Sequence, residues 1–287
     1  MTKETHSKTE TAEILIQALP YIRKYNGKIV VVKYGGNAME NPEMQKAVME
    51  DVVLMTMIGI KVVIVHGGGI DIAAALKKLG MESRFINGKR VTDEATMEVV
   101  QSVLAGKVNK NLTKMLNAAG CKAVGVCGID GNMLIAQQMS REMGEVGTIT
   151  YVNTKLIHDL LDSGYVPVIT SIATDGRGRS FNVNADTAAS AVAGALKAEA
   201  MVAMTNINGV MRDVNDPDSL ISKVSVDDAA ELEKEGVIAG GMIPKIECCI
   251  DAINAGVKKV FVINGTVPHS ILVEFLTDEG SGTMFVP

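Results

Sequence analysis

Polarity along the chain alternates on a coarse scale. Short, almost uninterrupted apolar runs are separated by longer stretches in which apolar residues recur every three or four positions. Six short runs stand out: KIVVVK (28–33), KVVIVH (61–66), KAVGVC (122–127), VPVIT (166–170), MVAMT (201–205) and KVFVIN (259–264). Their apolar residues are consecutive rather than alternate, so they predict strands buried on both faces. NPEMQKAVMEDVVLMTMIG (41–59) and DIAAALKKLG (71–80), lying between strands, predict helices. Strands alternating with helices make the fold α/β, a sandwich with a mainly parallel central sheet covered on both sides. No repeat of fixed period and no low-complexity segment interrupts the pattern.

Two stretches divide this layout. TETAEILIQALPYIRKY (9–25) is amphipathic and precedes the first strand, and ADTAASAVAGALKA (185–198) is so rich in alanine that it must pack closely. The division expected is an N-terminal helical arm over 1–26, an N-terminal lobe over 27–195 and a C-terminal lobe over 196–287.

Composition narrows the function. At 287 residues, 47% hydrophobic and 21% charged, the chain suits a globular enzyme with a substantial core. A formal net charge of −5 argues against a nucleic-acid partner, whose footprint is basic. The start, MTKETHSKTE, is not a secretory leader, and no apolar run approaches the roughly 18 residues of a membrane span. The expected location is cytoplasmic. Cys121, Cys127, Cys248 and Cys249 show no C-x-x-C spacing, so no thiolate metal site is expected. Cys249 falls on an apolar helix face, where it acts as a small hydrophobe.

The candidate chemistry lies in the loops, since ligands of open parallel sheets bind beyond the carboxyl ends of strands. Lys33-Tyr34-Gly35-Gly36-Asn37, His66-Gly67-Gly68-Gly69 and Thr205-Asn206-Ile207-Asn208-Gly209 each follow a strand. Consecutive glycines let successive backbone N–H groups converge on one anion, and a helix N-terminus adds positive potential. A tight strand-to-helix turn alone would explain one such loop; two in one sheet point to phosphate or carboxylate. Neither G-x-x-x-x-G-K-[ST] nor a convincing G-x-G-x-x-G is present, so any nucleotide is bound by another scheme.

In GGMIPKIECCIDAINAG (240–256), Gly240 and Gly241 precede a helix with Pro244 in its first turn. Lys245 then faces an unfavourable helix dipole costing about 0.3–1 kcal/mol, which a bound anion would offset; a solvated surface lysine is the alternative. In FNVNADTAAS (181–190), Asn184 is the expected helix cap and Asp186 sits in the first turn. Periodicity leaves the roles of Asn182 and Asp186 open.

VVKYGGNAM (31–39), VIVHGGG (63–69), GKRVTD (88–93), FNVNADTAAS, MTNINGVM (204–211) and GGMIPKI resemble, in order and spacing, the amino acid kinase family. They resemble most its branch acting on N-acetyl-L-glutamate, over residues 12 to the C-terminus. The resemblance implies a two-lobed αβα kinase that phosphorylates the γ-carboxylate of N-acetyl-L-glutamate with ATP and Mg²⁺, in arginine biosynthesis. Lys33 and Lys245 would stabilise the transferring phosphoryl group, with Asp186 orienting both. Gly68, Gly69, Arg90 and Asn182 would bind the acid. Gly35, Gly36, Asn206, Gly209, Met211, Gly240 and Gly241 would border the nucleotide. The arm and HSILVEFLTDEGSGTMF (269–285) resemble arginine-inhibited homohexamers, trimers of dimers interlaced by their arms. Tyr21, His269, Glu274, Gly280 and Gly282 would then border an arginine site. Binding of a nitrogen-signalling protein is left undetermined.

Two departures stand out. Cys127 replaces serine in the family's G-x-S-G-x-D-G, and Asn206 stands where many relatives carry aspartate. The competing readings are a sister kinase acting on carbamate or aminoadipate, and a non-catalytic arginine or nucleotide sensor. Arg90 favours a dicarboxylate-derived acid, and a sensor should have lost Lys33, Lys245 or Asp186.

Overall fold

Val30, Val31 and Val32 have no exposed surface, yet Val30 and Val32 pack into one apolar cluster and Val31 into another. The same split divides Val62 and Ile64 from Val63 and Val65. A strand whose alternate residues enter two different cores is buried on both faces, as the continuous apolar runs require. The computed structural model describes residues 7–39, 41–213, 216–278 and 280–287, so the first six residues of the expected arm lie outside the described residues.

Among the described residues the central sheet has eight strands: β1 (Ile29–Tyr34), β2 (Lys61–His66), β3 (Ala123–Cys127), β4 (Val166–Thr170), β5 (Ala200–Thr205), β6 (Lys223–Ser225), β7 (Val260–Asn264) and β8 (Thr283–Val286). Their spatial order is β6-β8-β7-β5-β1-β2-β4-β3, and the β7–β8 pair is antiparallel while the others are parallel. All six expected strands are present, each within a residue of its expected ends. β1 pairs with β2 on one side and β5 on the other, so residues 27–195 and 196–287 share one continuous sheet.

Helices α1 (Lys8–Tyr25), α2 (Pro42–Met57), α3 (Gly69–Lys78), α4 (Glu94–Gln101), α5 (Asn109–Ala118), α6 (Lys155–Asp162), α7 (Ala185–Ala195), α8 (Val226–Lys234), α9 (Ile243–Asn254) and α10 (Ser270–Leu276) complete the layers. Buried residues of α6, α7, α8 and α9 join the cluster of Val31, and those of α2, α3, α4, α5 and α10 that of Val30. The alanines of α7 permit close approach: a Cβ added to Gly194 would lie 2.5 Å from that of Ala255, just beyond α9.

Several elements were not evident in the sequence. A π-helical turn, Ser102–Val108, joins α4 to α5. Four short strands form a second sheet ordered Ser180–Asn182, Ile172–Thr174, Leu134–Gln138, Gly147–Val152. Phe85–Ile86 and Lys89–Arg90 form a hairpin, with Asn87 (φ 48°) and Gly88 (φ 74°) supplying the left-handed pair that a two-residue turn needs. Among the described residues no helix is long and apolar enough to cross a membrane.

Candidate active site

The carboxyl ends of β1 and β2 and the N-terminus of α7 meet at a cavity of about 520 Å³. It falls within the usual range for small-molecule sites, and its position is the one open α/β sheets reserve for ligands. Lys33, Gly35, Gly36, Gly68, Gly69, Arg90, Asn182, Asp186 and Lys245 all line it. Every residue expected to act in catalysis or hold the acid is therefore in one place.

At its centre Asp186 joins two ammonium groups. Its Oδ1 is 2.9 Å from Lys33 Nζ and its Oδ2 is 3.6 Å from Lys245 Nζ. Asn184 caps α7, its Oδ1 accepting from the backbone N–H groups of Asp186 (2.8 Å) and Thr187 (3.2 Å). With the cap supplied by Asn184, the Asp186 side chain is free to face the lysines. Burial alone would raise its carboxyl pKa; Lys33 and Lys245 outweigh burial and hold it below the ordinary carboxylate value. Lys245 lies in the first turn of α9, as expected, so Asp186 offsets its unfavourable place in the dipole. One carboxylate against two ammonium groups leaves a net positive pair facing the cavity.

The acid side of the cavity begins at the glycine triad. Helix α3 starts at Gly69, two residues before its expected start, with Gly68 as its cap and no side chain satisfying that end. The orphan N–H groups of that terminus are a ready anion cradle. Space explains Gly68: a Cβ there would lie 2.7 Å from Leu104 Cδ2 and 3.1 Å from Val108 Cγ2. Arg90 is 7% exposed; its guanidinium donates to the Gly69 carbonyl at 3.1 Å and to the Ser83 hydroxyl, and stacks 4.7 Å from the Phe85 ring. Among the described residues it has no carboxylate partner. A buried cation bonded to neutral acceptors is poised for an anion. Asn182, at the end of the second sheet, donates to Thr92 Oγ1 at 3.1 Å.

The expected nucleotide residues divide. Gly35 and Gly36 line the cavity beside Lys33, whereas Asn206, Gly209 and Met211 follow β5, and Gly240 and Gly241 form a 3₁₀ turn before α9. Those five do not line the cavity. Gly209 (φ 143°) sits where a Cβ would strike Thr283 Oγ1 at 2.5 Å. Cys127, buried at the end of β3, receives the Thr170 hydroxyl at 3.1 Å and is not a lining residue. Ser83 and Leu104 shape the site without any signal in the sequence: a lone serine, and a segment that reads as ordinary helix.

A second cavity, of about 360 Å³, lies between α1 and the C-terminal segment, lined by Tyr21, Glu274, Gly280 and Gly282. Lys24, Lys223 and Lys259 also line it, and burial followed by the nearby Lys24 charge lowers the Lys259 pKa. The Glu274 carboxylate accepts from the N–H groups of Ser281 (2.8 Å) and Gly282 (3.2 Å), and the Tyr21 hydroxyl donates to Asp278. His269 stands apart from its four expected companions. In a left-handed conformation (φ 58°) it places Nδ1 2.6 Å from the buried Asp51 carboxylate. Burial raises the Asp51 pKa to about 6, against the opposing pull of His269 and the amides of Ile271 and Leu272.

The sequence profile of the amino acid kinase family matches residues 28–264. The acetylglutamate kinase of Brachyspira hyodysenteriae is 51% identical over 98% of this chain and 99% of its own. Among solved structures, the N-acetylglutamate synthase of Neisseria gonorrhoeae complexed with coenzyme A and N-acetyl-glutamate superposes with a TM-score of 0.85 at 27% identity. The alignment covers 96% of this chain and 63% of that one. The same synthase complexed with coenzyme A and L-arginine gives a TM-score of 0.79 at 26% identity, covering 96% and 65%. Profile, full-length identity and fold agree with the lysine–aspartate–lysine centre at the sheet's carboxyl edge: the chain belongs to the amino acid kinase family.

Proposed function

We infer that this chain transfers the γ-phosphoryl group of ATP to the γ-carboxylate of N-acetyl-L-glutamate, a step of arginine biosynthesis. The observation that carries this reading is Asp186 bridging Lys33 and Lys245 beside the glycine cradle and the buried Arg90. A γ-carboxylate, with an ordinary pKa of about 4.3, is ionised at neutral pH and needs no general base. Its oxygen forms a bond to the γ-phosphorus as the bond to the β-phosphate oxygen breaks, leaving ADP. The obstacle is repulsion between two anions, so catalysis is positioning and charge stabilisation.

In this reading Lys33 and Lys245 take up the charge on the transferring group and Asp186 fixes both. Arg90, with Gly68, Gly69 and Asn182, holds the acid. ATP lies over the C-terminal lobe, along Asn206–Met211 and Gly240–Gly241, with its γ-phosphate reaching Gly35 and Gly36. Mg²⁺ travels with the nucleotide, because the carboxylate at the centre is already engaged by two cations. The biosynthetic role supports a cytoplasmic location. Formation of an acyl phosphate, trapped with hydroxylamine, is expected with N-acetylglutamate and not with glutamate, aspartate, aminoadipate or carbamate. Turnover of another acid would keep the mechanism and overturn the substrate.

The second cavity supports regulation by arginine: Lys24, Lys223 and Lys259 suit its carboxylate, Glu274 and Asp278 its guanidinium. On α1, Leu15 and Ile16 are 67% and 68% exposed, which supports assembly of the arms into a trimer of dimers. The chain lacking residues 1–25 is expected to keep its activity and lose inhibition by arginine; unchanged inhibition would refute an arm-dependent site.

A further inference from the structure

His66 ends β2 immediately before the glycine triad and is completely buried, and none of the roles above uses it. Its partners define its protonation. Asn109 Nδ2 lies 2.8 Å from the Val168 carbonyl oxygen, 3.4 Å from that of Val126 and 3.1 Å from His66 Nε2. Carbonyl oxygens only accept, so this side of the amide carries its hydrogens; the reverse orientation would set oxygen against oxygen. The same NH₂ therefore donates to Nε2, and the imidazole proton resides on Nδ1. Nδ1 lies 2.9 Å from the Gly67 carbonyl oxygen and donates to it.

The Gly67 carbonyl belongs to the same planar peptide as the Gly68 N–H. In a trans peptide these groups point in opposite directions, so fastening the carbonyl to His66 fixes the direction of the N–H. A glycine–glycine peptide turns freely without such a tether. We propose that His66, held by Asn109 as the Nδ1–H tautomer, is a positioning residue that orients the Gly68 amide toward the acid's carboxylate. This rests on the reading that Gly68 and Gly69 bind the acid.

The π-helical turn Ser102–Val108 places the supporting parts. Asn109 follows it directly, Leu104 and Val108 press on Gly68, and Lys107 reaches Asp71 of α3 at 2.6 Å. Turns of this kind are rare and recur at functional sites. Here the wider turn brings Leu104, Val108, Lys107 and Asn109 onto one loop and the first turn of its helix. Burial, opposed by the Gly67 hydrogen bond, lowers the His66 pKa to about 4, so the tautomer persists at neutral pH.

Two measurements test this. In protein carrying ¹⁵N-labelled histidine, NMR at pH 6 to 8 is expected to show His66 neutral and protonated on Nδ1; a proton on Nε2 would overturn the proposal. Calorimetry would then compare N-acetyl-L-glutamate and ATP binding in the wild type, His66→Asn and His66→Gln. Asparagine places a donor near the Nδ1 position and keeps the bond to Gly67; glutamine reaches Asn109 but not Gly67. His66→Asn is expected to bind the acid within about threefold of wild type and His66→Gln roughly tenfold more weakly, with ATP affinity unchanged in both. Equal acid affinities in the two variants, or parallel losses of acid and ATP, would reduce His66 to a packing residue. A wild type that binds no N-acetylglutamate would sink the proposed substrate and not the tautomer, and should His66→Gln fail to fold, the tautomer in the wild type decides.

Discussion

The Asp186→Asn protein is expected to be both less stable and nearly inactive. Asparagine keeps the shape and removes the charge, leaving the Lys33 ammonium buried without its 2.9 Å partner. Breaking a buried pair costs about 3–5 kcal/mol. The lower end applies, because the Lys245 side chain is 33% exposed and its share is screened by water. Two lysines no longer held together and aimed would lose much of their charge stabilisation, worth roughly 10²–10³ in kcat. The pH dependence has a defined sign. The Asp186 pKa is lowered in the folded state, so its contribution is complete above an unfolded value of about 3.9 and lost as pH falls through the folded value. Thermal unfolding of wild type and variant should differ by a constant amount from pH 7 to 5 and converge only below about pH 4. A variant with unchanged Tm and kcat would remove Asp186 from the centre of the site.

Lys33→Ala is the second large effect. The substitution deletes the more buried of the two cations while Asp186 retains Lys245 at 3.6 Å, so the fold should tolerate it better than Asp186→Asn. The kinetic loss should fall on kcat, by roughly 10²–10³, with the KM for N-acetylglutamate little changed. That split separates a group acting on the transferring phosphoryl from one that merely holds substrate. An intact kcat with a raised KM would assign Lys33 to ground-state binding.

The sequence was informative where local chemistry and tertiary environment agree. Continuous apolar runs located the central strands, and a lysine in an unfavourable first turn flagged Lys245. Local pattern left Asp186 open because a helix N-terminus welcomes an acid whatever else it does; the family resemblance implied its pairing with both lysines, and the distances of 2.9 and 3.6 Å put it between Lys33 and Lys245. The second sheet escaped because strands such as Ile172–Thr174 and Ser180–Asn182 are three residues long, too short to show a period; they pair with each other and join Leu134–Gln138 through Ile135 opposite Thr174. The π-helical turn escaped because SVLAGKV has no composition that separates it from α-helix. His269 shares a segment with Glu274 and Gly280, yet a left-handed backbone and the Asp51 carboxylate carry it away from them.

The central position of β1 also sets the timetable of synthesis. Val30 pairs with Ala200, which follows it by 170 residues. At about 5–20 residues per second, the strand bearing Lys33 waits on the order of ten seconds or more for this neighbour to leave the ribosome. Until then β1 presents an open, largely apolar edge, which invites pairing with other nascent chains. Chains interrupted before residue 200 should accumulate as aggregates and not as soluble N-terminal lobes, and refolding in vitro should slow as non-local parallel pairings do.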